Sequence, residues 1–273
     1  MMEPNNRAYR PSRGVFVALV TSSRDSLGVV TITLSDETNL NAMSEEMAAD
    51  FAAEVAKLKA AGNSKVIILT GAGKSFSAGG HLEMLDGKRL KTPEQNRLGM
   101  LAFYDSFLSI LSLHVPVIAA LQGAAVGAGL CLACACDVRI ATSDAKLGFT
   151  FLKLGLHPGM GGTFLLPRVV GRTMATELLL TGRIISADEA LRIGLVSRIV
   201  AREKLLEEAN TIAKEMLSCG PEASAQLLQT MRADLADLPA ALEHEARCQS
   251  INYASAGFAE GISAIREKRV ARF

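Results

Sequence analysis

The chain predicts an α/β fold, and three observations carry that reading. Short runs of β-branched and aliphatic residues alternate with longer amphipathic stretches along most of its 273 residues. The hydrophobic fraction is 49% while aromatics make up only 5% and Trp is absent, so the core is aliphatic and Ala-rich, suited to close helix packing. Between Val117 and Asp137 an apolar strand runs through a turn of small residues straight into an apolar helix, VIAALQGAAVGAGLCLACACD.

Taken in order, residues 15–21 and 29–34 read as strands separated by turn residues. A loop over 39–44 leads to a helix from Ser44 to about Ala61, opened by a capping serine and stopped by Gly62 and Asn63. A buried strand over 66–70 is followed by the loop GAGKSFSAGG, and a helical stretch over 93–113 comes next. Strands are expected at 117–121, 138–141 and just before Gly148, with a helix at 129–136 between the first two. Helices are expected at 159–171, 173–181, 187–193 and 202–218. Pro221 and Pro239 open two more, and the last covers 256–268. There is no internal repeat. The charge-free stretch 106–136 is broken by Pro116, Gln122 and glycines, so it reads as strand–turn–helix and not as a membrane span.

Composition narrows the function. A net charge of +1 gives no bulk attraction to nucleic acid. Five cysteines, three of them clustered, indicate reduced thiols and an intracellular setting, cytoplasmic or, in a eukaryote, the mitochondrial matrix. The start, MMEPNNRAYRPSRG, lacks the apolar stretch of a secretory signal; its three arginines suit an organelle transit peptide, whereas Glu3 and the prolines do not. Gly71–Ser75, GAGKS, lacks full Walker spacing. Cys131, Cys134 and Cys136 share one expected helix without a second ligand pair, so no metal site is expected there.

The turn at 123–129 invites backbone recognition. Gly127, Ala128 and Gly129 keep side chains out of the way, and the helix after them directs its positive end to the same spot. No acid or base lies between Gly123 and Cys136.

From about Val29 onward the chain resembles the crotonase (enoyl-CoA hydratase/isomerase) superfamily. The resemblance rests, in order, on DETNLNAMS, FSAGGHLEM, PVIAALQGAAVGAGLCLACACDVRIATSDAKLGF, KLGLHPGMGGTFLLPRVVG, LLLTGRIISADEALRIGLVSRIV and GISAIREKRVARF. It implies a spiral of ββα turns, with residues 1–205 forming an acyl-CoA-binding core. Residues 206–273 would form a helical lid or trimerisation region in a homotrimer or dimer of trimers. It implies an acyl-CoA thioester as substrate and no further cofactor. The oxyanion donors would be the backbone N–H groups of Gly80 and Ala128. Leu40, Ala42, Ala78, Gly80 and His81 would contact CoA, and Lys268 its nucleotide phosphate.

The departure from the family pattern concerns acid–base chemistry. The two glutamates that hydratases of the family use fall at Cys131 and Phe151, and no Asp or Glu occurs from Ala145 to Thr176. Ordinary two-glutamate hydration is therefore not expected. His157 is the first candidate replacement, with His81 and Cys131 behind it; Glu83 and Asp86 follow the oxyanion loop closely. Pocket shape is expected to depend on residues 86–96 and on the helix around 98–107. Three activities stay open: enolate or hydrolytic thioester chemistry, an atypical hydratase or isomerase, and acyl-CoA binding without catalysis.

Overall fold

The computed structural model describes residues 18–273. The N-terminal arginines and the first three residues of the strand expected at 15–21 lie outside the described residues.

Strands β1 (Val20–Arg24) and β2 (Val29–Leu34) form an antiparallel hairpin whose turn is tied by Asp25, its Oδ1 accepting from the Leu27 and Val29 N–H groups at 2.9 and 2.8 Å. Helix α1 (Glu45–Ala61) starts where Ser44 Oγ accepts from Met47 N and stops at Gly62. Strand β3 (Val66–Gly71) is buried along its whole length, as an interior parallel strand must be. After α2 (Leu82–Gly87), α3 (Pro93–Leu108) opens with a Thr92–Gln95 capping box. Then come β4 (Val117–Leu121), β5 (Ala124–Val126), α4 (Ala128–Cys134), β6 (Val138–Thr142) and β7 (Lys146–Gly148). The chain continues through α5 (Gly162–Val170), α6 (Arg172–Thr181), β8 (Ile184–Ser186), α7 (Ala187–Arg192) and β9 (Arg198–Val200). Four helices close it: α8 (Leu205–Leu217), α9 (Pro221–Met231), α10 (Leu238–Asn252) and α11 (Ala256–Arg266).

Six strands form one sheet in the order β1-β2-β3-β4-β6-β9, parallel from β2 onward. A smaller sheet has the order β5-β7-β8. Successive passes place one strand in the large sheet and the next in the small one before turning into a helix: β4, β5, α4, then β6, β7 and a 3-10 turn. An isolated bridge between Ser77 and Ala125 extends this pattern to the pass that begins with β3. The result is a spiral of ββα turns. On one face of the large sheet Val66, Ile68, Ile118, Ala120 and Ile140 pack against Leu205, Ala209, Ile212 and Ala213 of α8. The other face carries the larger core, into which α1, α3 and α4 send Phe51, Phe107 and Leu130.

Several expected boundaries move for local reasons. The helix expected from 159 begins at Gly162, because Met160 and Gly161 both take positive φ and leave a loop. The stretch 93–113 leaves the α form after Leu108 and finishes as a 3-10 turn. Strands β5, β8 and β9 and the short α2 were not expected; three-residue strands show no usable alternation.

Candidate functional site

Two loops are knit together around Asn41, which is fully buried. Its Nδ2 donates to the carbonyls of Ala72 and Ser75 at 2.9 and 2.7 Å, while its Oδ1 accepts from Asp36 N at 2.8 Å. Leu40 and Asn41 both sit in the left-handed region, at φ 53° and 55°. Held this way, the first loop pairs with the second. Ala78 N donates to Leu40 O, Met43 N to Gly79 O and His81 N to Met43 O, at 3.0, 2.7 and 2.9 Å. This is a parallel bridge between Met43 and Gly80, so the N–H of Gly80 points away from it.

The second loop also pairs with β5. Ser77 N donates to Ala124 O and Val126 N to Ser77 O, both at 3.0 Å. Gly127 follows at φ 53°, ψ −124°, a conformation that suits glycine, and its N–H donates to Gly148 O at 2.8 Å. Ala128 is then the first residue of α4, where an N–H has no partner inside the helix. The two turns touch: a Cβ on Gly79 would lie 2.8 Å from Val126 O and 3.7 Å from Ala128 N. Among the described residues neither Gly80 N–H nor Ala128 N–H donates to a protein acceptor.

Both residues line a cavity of about 560 Å³. Leu40, Ala42, Ala78 and His81 line it from the two loops, Met100, Phe103 and Tyr104 from α3, Gln249 from α10 and Tyr253 from the cap of that helix. Phe151, Leu156, Gly159 and Met160 are also part of the wall. A larger cavity of about 1090 Å³ lies elsewhere, between the α8–α9 segment and the end of the large sheet, and none of these residues lines it.

Three expected features lie away from the cavity wall. Cys131 is fully buried and is not part of the cavity wall; burial pushes its thiol well above the usual range. Burial is the largest cause of that shift, so this placement gives no support to a nucleophilic role for Cys131. His157 is also absent from the wall. Its Nδ1 lies 2.7 Å from Pro158 O, its ring stacks edge-on with His244 at 5.9 Å, and burial lowers its pKa. An acid–base role at the cavity is therefore not supported by its placement. Residues 86–96 do not reach the wall either. Lys88 folds inward to Glu45 at 2.8 Å, and Asn96 Nδ2 donates to Lys88 O.

Glu83 does line the cavity, but Arg266 pairs with it and with Asp86 at 3.2 and 2.8 Å. Lys268 is exposed just beyond α11, one turn after the lining residue Ile265. The fully buried polar side chains of the wall that the sequence did not single out are Tyr104, Gln249 and Tyr253. The Tyr104 and Tyr253 hydroxyls both donate to Gln249 Oε1, at 2.8 and 3.2 Å, and burial raises the pKa of each tyrosine, so both stay neutral. Behind them Glu245 is fully buried and accepts from Gly161 N, Thr163 N and Thr163 Oγ1 at 2.7, 2.9 and 2.5 Å. Gln249 and Glu245 lie four residues apart on an ordinary helix, and nothing in their local sequence marks them.

Among the described residues no helix is long and apolar enough to cross a membrane. The family model for enoyl-CoA hydratase/isomerase matches residues 24–273. A crotonyl-CoA hydratase of Syntrophomonas wolfei is 41% identical over 217 residues, covering 77% of this chain and 80% of that protein. A short-chain-enoyl-CoA hydratase of Clostridium acetobutylicum is 35% identical over 243 residues, covering 88% and 92%. The crystal structure of an enoyl-CoA hydratase from Mycobacterium avium subsp. paratuberculosis superimposes with a TM-score of 0.82 at 29% identity, covering 94% of this chain and 99% of that one.

Proposed function

This chain belongs to the enoyl-CoA hydratase/isomerase family, and from that premise we propose that it binds an acyl-CoA thioester and stabilises negative charge on the thioester oxygen without the two-glutamate machinery. The observation that carries the reading is the pair of unpartnered N–H groups on Gly80 and Ala128, two residues that line one largely apolar cavity. A carbonyl oxygen placed between them accepts two hydrogen bonds. The donors are fixed beforehand by the Asn41 and Ser77 bonds, so little reorganisation accompanies charge development. A preorganised donor of this kind is worth roughly 3–4 kcal/mol of barrier in well-studied cases.

Neither of the two positions that carry glutamates in the resembling hydratases supplies an acid or base to the wall. Phe151 cannot titrate, Cys131 is sealed in, and Glu83 is tied to Arg266. In this reading the backbone of Leu40, Ala42 and Ala78, with His81, holds the CoA portion, and Lys268 meets a phosphate. We extend the proposal to assembly as a homotrimer or dimer of trimers. A second reading, an atypical hydratase or isomerase, is favoured by the Tyr104–Gln249 pair in the wall, which has the donors and acceptors to orient a water.

Calorimetry with an acyl-CoA panel and an ultraviolet hydration assay with crotonyl-CoA test the proposal together. Binding with little or no hydration is expected. Absence of binding by every acyl-CoA would remove the oxyanion pocket, and rapid crotonyl-CoA turnover would establish the second reading.

A further inference from the structure

We propose that His157, His244 and Cys248 form a zinc site, separate from the thioester cavity, that clasps the loop before α5 onto α10. One ring nitrogen from each histidine and the Cys248 sulfur lie within 4.8 Å of one another. His244 and Cys248 are four residues apart on α10, so they share a face, and Cys248 Sγ is already 3.6 Å from His244 Nε2. Zinc–nitrogen bonds of about 2.0–2.1 Å and a zinc–sulfur bond of about 2.3 Å place tetrahedral ligand atoms roughly 3.4–3.6 Å apart. That pair therefore needs almost no movement.

His157 is prepared in a second way. Its Nδ1 lies 2.7 Å from Pro158 O. A carbonyl accepts only, so the proton sits on Nδ1 and the lone pair on Nε2. Metal-bound histidines are oriented by this kind of bond. The backbone of the residue is pinned to the same helix: His157 N donates to Asn252 Oδ1 and His157 O accepts from Gln249 Nε2, both at 2.8 Å. Loop and helix thus meet in a fixed register with three soft-to-borderline donors converging.

Two imidazoles and one thiolate favour Zn²⁺ over hard cations such as Mg²⁺ or Ca²⁺. His244 is exposed, which leaves the fourth position open to water. On binding, Cys248 gives up its thiol proton to solvent and forms the Zn–S bond, with no change of oxidation state. Loop residues Leu156, Gly159 and Met160 and helix residues Gln249 and Tyr253 line the thioester cavity, so the clasp stiffens two of its walls.

The test uses the full chain after chelation and dialysis, titrated with ZnCl₂ in a calorimeter and, in parallel, with Co²⁺ followed by absorption. One ion per chain is expected, with intense visible bands of tetrahedral Co²⁺ and a sulfur-to-cobalt charge-transfer band. Cys248→Ser should remove the charge-transfer band, and His244→Ala should weaken zinc binding at least tenfold. Both side chains reach solvent, so thermal melts of the metal-free variants should match the parent. Failure to bind Zn²⁺ below millimolar concentration, or a charge-transfer band that survives in Cys248→Ser, would overturn the site. Neither outcome bears on the Gly80–Ala128 pocket, which reads out through thioester binding.

Discussion

Gly79→Ala perturbs the proposed oxyanion pocket without touching either donor residue. Gly79 has φ +90°, and the new Cβ would stand 2.8 Å from Val126 O. Ordinary contact begins at 3.4 Å, so Val126 must retreat by about 0.6 Å, carrying the Gly127–Ala128 turn with it. Left-handed backbone costs an alanine roughly 1–2 kcal/mol, and overpacking adds about 1–3 kcal/mol, a loss that a domain of ordinary stability survives. The functional effect is read from carbonyl recognition. Two neutral hydrogen bonds contribute about 0.5–1.5 kcal/mol each, so the parent should prefer an acyl-CoA thioester to the matching thioether, which has no carbonyl, by roughly 5- to 150-fold. Losing one donor should shrink that ratio about two- to twelvefold. Calorimetry on both ligands measures the ratio and cancels changes in CoA affinity. A ratio that stays put while the melting temperature drops would refute the assignment of Gly80 and Ala128 as carbonyl donors.

Three further outcomes follow from the same geometry. Thiol labelling of the native chain should modify exposed Cys219 fast and half-buried Cys248 more slowly, while Cys131, Cys134 and Cys136 react only on unfolding; rapid labelling of Cys131 would reopen its case as a nucleophile. Burial raises the Glu245 pKa above 4.5 despite three donated hydrogen bonds. The stability linked to this group is therefore full below pH 4.5 and is lost as pH rises through the folded-state pKa. Glu245→Gln should be less stable than the parent, and its deficit should narrow from acid toward neutral pH; parallel melting curves against pH would contradict this. Lys88 is 1% exposed whereas its partner Glu45 is 54% exposed. Glu45→Ala, which strands a buried ammonium, should therefore cost about 2–3 kcal/mol and Lys88→Met less than about 1.5 kcal/mol, read from urea midpoints; the reverse order would sink the argument.

The sequence was legible where local chemistry decides structure. Ser44, Gly62 and the Thr92–Pro93 pair announce their helix ends, and β3 announces itself by an unbroken apolar run. Three-residue strands such as β5 form because neighbouring strands and loops hold them, and their own residues carry no alternation. The same division runs through the site. Small residues at 79–80 and 127–128 marked a close backbone approach, which is a local property. The direction of the His157 side chain is set by Pro158 O and by α10, far away in the chain, so its closeness in sequence to Gly159 and Met160 misled. Tyr104 and Gln249 reach the wall only because α3 and α10 pack together.

The packing around Cys131 leaves little room for a carboxylate at that position. A Cβ on Gly162 would lie 3.0 Å from Cys131 Sγ, so α5 crosses α4 with room for a thiol and little more. Burial does most to raise the Cys131 pKa, Cys134 and Glu245 add to it, and the Glu245 oxygens are committed to Gly161 and Thr163. A second carboxylate here would be buried against the first without a cation, at a cost of several kcal/mol. The buried acid of this region therefore stands on α10, behind the wall, where it holds the loop before α5. Phe151 closes the other position with an apolar ring in the cavity itself. The two positions differ in kind: Cys131 is locked by its neighbours, and Phe151 lines the cavity. Under the proposed function, neither place supplies a proton-transfer group beside the carbonyl that Gly80 and Ala128 would polarise.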